Sequence, residues 1–561
     1  MFQTAVLPPV TTDRDRLLHD LEALSEVDLI VIGGGASGLG VALDARLRGL
    51  SVLLLESHDF AGGTSSRATK LVHGGVRYLA QGNIGLVREA LHERRALLNN
   101  APHLAQPLAF VMPAYRPWEV PFYGLGLKIY DALAGSASLG RTEWLGRAGT
   151  AARLPGVNAA GLFGGVQYWD GQFDDARLAL ALARTAAAQG ALVLNYCPVV
   201  DVLHENGRVG GVRWRDARDA GGRREGTVRA RCVINATGVW VDELRRLDDA
   251  ARGQDTAPMV APSQGVHLVV DRSFMPADEA LLVPRTRDGR VLFAVPWLGH
   301  LILGTTDTPR DAVAREPRAL PEEIAFILNE SAHVLARAPR AGDVLSVWVG
   351  LRPLVRPAHE DEAGHGAVPA DCAMPDESEP LASGKVRGGT KTISREHTVR
   401  VSPSGLVTVT GGKWTTYRSM AEDVLRHCQG AGLLPALPPC RTAHFPLLGA
   451  PPPGAPATRL THPPGLHAYG TEAADVQALP GAGNELGLGL TEAMVRHAAR
   501  REYARTVEDV LARRHRMLFL HADRAIQVAP AVARILAEEI GSDGDLGAFL
   551  ALAEQYRHVP A

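Results

Sequence analysis

No stretch of this chain is both apolar and long enough to cross a bilayer, which takes ~20 residues as a helix, so no transmembrane helix is expected. Residues 1–26 lack the long apolar run of a signal peptide. They also lack the acid-poor composition of a transit peptide, because Asp13, Asp15, Asp20 and Glu22 fall within them. Excess charge of one sign is missing too. Lys and Arg number 59 against 61 Asp and Glu, a net charge of −2, which gives no reason to expect a nucleic-acid partner. The five cysteines, Cys197, Cys232, Cys372, Cys428 and Cys440, are scattered and make no Cys-x-x-Cys pair. That argues against a disulfide framework and a zinc site, and for a reducing, cytoplasmic setting with no metal. Peripheral attachment to a membrane needs only a surface patch and is compatible with all these absences.

What the chain does have is length and apolar content. It runs to 561 residues, 46% of them hydrophobic, enough for a large core and two or three domains. Residues 27–55 read as a βαβ unit: an apolar strand Val27–Ile32, an Ala- and Leu-rich helix over 36–48, and a second apolar strand Ser51–Leu55. Residues 60–85 are glycine-rich and polar, poor material for regular structure, and 86–100 read as a charged helix. Strand-like runs recur over 190–240, with the polar segment Arg215–Arg229, containing Gly221-Gly222, expected at a hairpin tip. Alternating runs over 265–305 suggest an antiparallel sheet. Residues 358–390 read as a long surface loop, 433–456 as a Pro-rich linker, and 491–555 as helical.

Gly33-Gly34-Gly35-Ala36-Ser37-Gly38 fits Gly-x-Gly-x-x-Gly, and it sits between strand and helix with Glu56 ending the second strand. In this pattern Gly33 permits the tight turn, Gly35 lets backbone approach a pyrophosphate, and Gly38 allows close packing of helix on strand. The helix start, with Ser37, offers N–H groups to the phosphates, and Glu56 is expected to accept from a ribose hydroxyl. Between NAD and FAD the motif alone decides less firmly. Two further segments favour a flavin: Ala236-Thr237-Gly238 ends a strand in a small-residue turn. Val407 to Lys413, with Gly412, leads through Thr415 into a helix start that could stabilise negative charge on a reduced flavin.

Several separated motifs then carry a resemblance. Phe60 to Arg67 (FAGGTSSR), Lys70 to Leu79 (KLVHGGVRYL), Gly304 to Thr308 (GTTDT), Gly350 to Leu354 (GLRPL), Ser394 to His397 (SREH) and Gly411-Gly412-Lys413 together resemble the FAD-dependent glycerol-3-phosphate dehydrogenases. The resemblance is close over residues 15–425 and looser through Val507–Arg514. The chain departs from that pattern at Trp414, where a smaller aliphatic residue is usual, and at His521, where an acidic one is expected. The resemblance implies a cofactor role for Thr64, Ser65 and the Gly412 turn, and a substrate site from His73, Arg77, His267, Arg352 and Lys413. The residue types agree: a phosphate dianion needs cations, and a secondary alcohol losing hydride needs a base, for which His73 and His267 are alternatives.

The expected fold is therefore α/β. It comprises a Rossmann-type FAD-binding domain interleaved with a β-sheet substrate domain over 27–432 (glycine/D-amino-acid oxidase-like), and an α-helical C-terminal domain over 457–561. The expected reaction is oxidation of sn-glycerol 3-phosphate to dihydroxyacetone phosphate, with non-covalent FAD as hydride acceptor and a membrane quinone receiving the electrons. A homo-oligomer is expected. The rivals are an oxidase using O₂, an amine or amino-acid oxidase of the same fold, and an FAD-binding scaffold. Arg496, Arg500, Arg501, Arg505, Arg513, Arg514 and Arg516, followed by Met517 to Leu520, form a cluster that could meet anionic lipid. The alternative is a solvated helix face beside a buried apolar turn.

Overall fold

The computed structural model describes residues 10–76, 83–219, 221–356 and 396–560. Arg77, Ser394, Arg395, Cys372 and the 358–390 loop lie outside the described residues.

Two sheets organise the chain. Among the described residues the first has eight strands, and its spine runs His397–Val401, Val407–Gly411, Glu225–Asn235, Glu26–Ile32, Val52–Leu55, Leu192–Leu194. The central pairings are parallel, with Ile32 opposite Asn235 and Leu55. Leu29 to Val31 and Leu53 to Leu55 are buried on both faces, as strands covered by helices on either side must be. Helix Ala36–Leu47 packs between the helices Asp175–Ala188 and Tyr417–Gly430.

The second sheet has ten strands among the described residues and is mostly antiparallel. Its long strand Val260–Asp271 pairs with Val344–Val355 and with His300–Gly304. The C-terminal region is helical, with Glu492–Arg501, Ala522–Ile540 and Leu546–Arg557 closing over a core shared with the second sheet.

Four expectations need correction. The 60–85 stretch holds a helical turn at Thr64–Ser66 and a short strand at Leu71–Val72. The hairpin tip is shorter than Arg215–Arg229: pairing resumes at Glu225 opposite Arg215, because Thr227 and Val228 extend the ladder. The Pro-rich segment is packed: Leu434 and Leu447 join the core, and Thr442 O accepts from Asn100 Nδ2 at 2.8 Å. Most of the arginine cluster is turned inward, and the apolar turn Met517 to Leu520 after it is buried. Arg505, Arg513, Arg514 and Arg516 are buried. Arg513 and Arg514 close on the buried Asp59, and Arg496 meets Glu538 and Glu539, each at 2.7 Å. Arg513 and Arg514 thus tie the C-terminal region to the loop after Val52–Leu55, and Arg496 ties two C-terminal helices to each other; Arg500 and Arg501 are exposed.

Candidate active site

The strand Glu26–Ile32 empties into the glycine turn, which has no space for a side chain at Gly33 or Gly38. Gly33 has φ +112°, and a Cβ there would stand 2.6 Å from Ala236 O; a Cβ on Gly38 would stand 2.0 Å from Gly33 O. Both positions are closed by backbone, which cannot swing away. At Gly35 a Cβ would meet only Ser65 Oγ, at 3.1 Å. That glycine is the open one, facing the cavity from the N-cap of helix Ala36–Leu47, where it brings no capping side chain of its own. Ser65 Oγ accepts from Ala36 N–H at 3.0 Å, and Glu56 Oε2 accepts from Gly34 N–H at 2.6 Å. The remaining N–H groups of the first turn suit an anion.

Two other segments are stitched to this cradle. Thr410 Oγ1 donates to Gly238 O at 3.0 Å, and Trp414 Nε1 donates to Ser65 O at 2.8 Å. The unusual Trp414 thus braces the Thr64–Ser66 turn. Thr64 Oγ1 donates to Leu351 O at 2.6 Å, tying the turn to the second sheet. Gly412, at φ +71°, is held under Met420, and Lys413 caps the turn Trp414–Thr416 ahead of helix Tyr417–Gly430. A cation at a helix start is unfavourable for the dipole unless an anion sits nearby.

All of this borders one cavity of about 1590 Å³. Single-ligand pockets run to roughly 300–1,000 Å³, so this one has space for a dinucleotide and a small substrate together. Gly33, Gly35, Ser37, Glu56, Thr64, Ser65, Ala236, Thr237, Gly238, Gly412, Lys413 and Thr415 line it, and Gly38 lies just behind. The open glycine, the remaining N–H groups of the helix start and the volume fit FAD.

The second sheet carries the other wall. His267 lies mid-strand, opposite Gly304 on one side and Trp348 on the other. A Cβ on Gly304 would stand 2.6 Å from His267 Cδ2, so the glycine makes way for the ring. The imidazole stacks on Trp348 with centroids 4.0 Å apart and planes 16° from parallel, and its Nε2 meets Thr69 Oγ1 at 2.9 Å. Burial, then the Lys70 and Arg352 cations, push its pKa well below the usual histidine value.

Arg352, opposite Ser263, lies along the face left bare by Gly265. It donates to Thr306 O at 2.9 Å, and to Gln264 O, Thr305 Oγ1 and Asp307 Oδ1, each at 3.3 Å. Its side chain is 25% exposed, so the guanidinium is oriented and still reaches the cavity. His73 lines the same space, and its carbonyl accepts from Thr415 Oγ1 at 3.3 Å.

The structure thus unites His73, His267, Arg352 and Lys413 with the cofactor residues; Arg77 lies outside the described residues. Sequence reasoning missed Thr69, Lys70 and Trp348 as neighbours of His267. Lys70 opens the KLVHGG motif and Thr69 precedes it, so both could have been suspected, whereas the register that sets Trp348 beside His267 has no local signal. Arg315, which lines the cavity near Glu56, was also missed.

Comparisons with known proteins agree with this geometry. The family model described as FAD dependent oxidoreductase matches residues 28–418, and that of the C-terminal domain of alpha-glycerophosphate oxidase matches 440–545. The rat protein named glycerol-3-phosphate dehydrogenase, mitochondrial, is 40% identical over 94% of this chain and 72% of its own. The human protein of that name is 39% identical over 94% and 73%. The crystal structure of glycerol-3-phosphate dehydrogenase from Bacillus halodurans complexed with FAD superposes with a TM-score of 0.72 at 29% identity, covering 98% of both chains. The chain belongs to the FAD-dependent glycerol-3-phosphate dehydrogenase family.

Proposed function

We propose that the protein oxidises sn-glycerol 3-phosphate to dihydroxyacetone phosphate. The observation that carries this reading is that one cavity joins a dinucleotide cradle to two cations, Arg352 and Lys413, and two histidines, His73 and His267. FAD, which the glycine turn, Thr64, Ser65 and the Gly412 turn would hold, would supply the two-electron acceptor for the hydride leaving C2. Arg352 and Lys413 hold the phosphate, the first through its planar fork and the second as a point charge. Arg77 is assigned to the same group from its motif. A histidine takes the C2 hydroxyl proton. Asp307 and the carbonyls of Gln264 and Thr306 keep the Arg352 fork in one orientation before substrate arrives.

A cytoplasmic protein peripheral to the membrane, with a membrane quinone as acceptor, is the reading we favour beyond the flavin. No helix among the described residues is long and apolar enough to cross a membrane. Helix Glu119–Ala134, however, exposes Phe122, Leu125 and Ile129 in line with Trp118 before it, at 48–66% of their areas. The spacing of four, three and four puts them on one face, the form of a helix lying in a lipid interface. Phe122, Leu125 and Ile129 also border the cavity, so this face adjoins the site.

Anaerobic titration of the flavin tests the reaction. Glycerol 3-phosphate should bleach it stoichiometrically, and amino acids should not. Bleaching by an amino acid alone would favour an amine or amino-acid oxidase, and no bleaching by any polyol phosphate would favour a scaffold. Peroxide formed in step with substrate consumed in air would favour the oxidase over quinone reduction.

A further inference from the structure

Behind the His267 wall lies a buried charge that the proposed reaction does not use. Lys70 is fully buried, and its backbone is left-handed at φ +66°, a conformation that disfavours any residue with a Cβ. Its ammonium donates to Ser66 O at 2.7 Å and to the two Asp175 oxygens at 2.9 and 2.7 Å, so its hydrogen-bonding capacity is used up. The same nitrogen stands 4.6 Å from the Trp348 ring centroid and close to Trp297 and Phe519. Trp348 is the ring on which His267 stacks.

We propose that Lys70 is a positioning residue for this reaction: its ammonium, set against Trp348, keeps the stacked His267 ring uncharged, as an Nε2–H donor turned to Thr69. The proposal rests on the functional reading above for its chemistry. It assigns His73 as the base and leaves His267 as a neutral ring whose one N–H is given to Thr69.

Three observations support it. Burial is the first cause that disfavours a charge on His267, and the charges that add to it are both positive, Lys70 from behind and Arg352 beside it. His267 Nδ1 is buried without a hydrogen-bond partner among the described residues, while Nε2 has Thr69. A lone pair at Nδ1 is favoured by nearby cations and a proton there is not, so the ring hydrogen belongs on Nε2. Finally, Lys70 is charged where it matters. Burial and then the Arg516 cation press its pKa down to about 7, against the pull of Asp175 and Asp174. Below neutrality, where a histidine would otherwise protonate, the ammonium is present. Arg516, 3.3 Å from Asp175 and 3.8 Å from Asp174, completes a cluster of two cations and two carboxylates.

The test removes the cation with its counter-ion, so that Arg516 and Asp174 remain balanced: K70M/D175N, purified with flavin, with K70M as the second variant. Wild type should lose kcat/KM for glycerol 3-phosphate in acid with the slope of one proton. The double variant should lose about tenfold more than wild type on going from about pH 8 to about pH 6, with a slope approaching two, as His267 begins to protonate. Adding H267Q, which keeps an N–H donor, should return the slope to one. An unchanged acid limb in either flavin-loaded variant overturns the proposal, and so does a steepening that survives H267Q; a merely structural Lys70 would lower Tm and leave the limb in place. Histidine-selective NMR of the holoenzyme gives a readout independent of turnover: His267 should titrate in the double variant and stay neutral over the same range in wild type. If wild-type flavin is not reduced by glycerol 3-phosphate, the functional reading fails on its own, and this titration still decides the role of Lys70.

Discussion

At the nucleotide end of the cavity the walls are backbone; at the substrate end they are long side chains delivered by a second sheet. Gly33 and Gly38 are closed in by the carbonyls of Ala236 and Gly33, with no rotamer to yield. Arg352 and His267 reach their places from mid-strand, steadied by Asp307, Thr69 and Trp348 and given room by Gly265 and Gly304. The first end should therefore fail outright when altered, and the second should fail by degrees set by the chemistry of the replacement.

The largest expected effect is at the first end. Gly33→Val demands a left-handed valine and drives its Cβ into Ala236, so the protein should purify without flavin, as read from its visible absorbance. Gly35→Val should also lose flavin, for a different reason: its Cβ is tolerated beside Ser65, and the added methyls fill the pyrophosphate space. Full flavin content in both variants would erase the contrast between the two ends.

Arg352→Met sharpens the comparison from the other side. Loss of a charge-assisted contact to the phosphate should cost about 2–4 kcal/mol, or roughly 30- to 1000-fold in kcat/KM for glycerol 3-phosphate, with a much smaller loss for glycerol. Flavin should be retained. Because Thr306 O and Asp307 also lose their donor, a lower Tm is expected too. Arg352→Lys should recover part of the activity, lacking the planar fork. Equal losses on the two substrates would reassign Arg352 to structure.

A smaller effect is expected at the surface beside the cavity. Replacing both Phe122 and Leu125 with Glu should weaken binding to anionic vesicles by about 1–2 kcal/mol per side chain, while Arg501→Ala should leave it unchanged. The opposite pattern, seen by flotation, would restore the arginine cluster as the lipid contact.

The smallest effect should touch both ends alike. Burial first, aided by Arg177, holds the pKa of His103 and that of His515 down to about 3, so both stay neutral in the folded protein. The folded values lie below the unfolded one. The unfolded chain therefore binds more protons, and stability falls as pH drops below about 6.5. By pH 5 each contributes a loss on the order of 2 kcal/mol. His103→Gln should flatten the fall of Tm with acid; an unaltered slope would show that other groups control it.

Local pattern carried the first end almost whole. The glycine turn, the helix behind it and Glu56 are contiguous or nearly so, and each role follows from backbone geometry a short window can express. The substrate end was legible only as residue types within motifs. His267 and Arg352 could be named, but Trp348 and Asp307 could not be given roles, because those depend on strand register and on a loop crossing the sheet. The C-terminal arginines were misread for the same reason. Their partners Asp59 and Asp175 lie more than three hundred residues away, so a run of cations looked like a surface.

By itself the sequence determined the dinucleotide cradle, the order of strands and helices around it, and the family, since all three reside in short-range periodicity and in ordered motifs. Only the tertiary structure decided which charges face the cavity and which are spent on one another. An isolated arginine has the same side chain in either role, and its function depends on what the fold brings within hydrogen-bonding distance. Asp59 pairs with Arg513 and Arg514 in the interior, while Arg352, oriented by Asp307, lines the cavity wall.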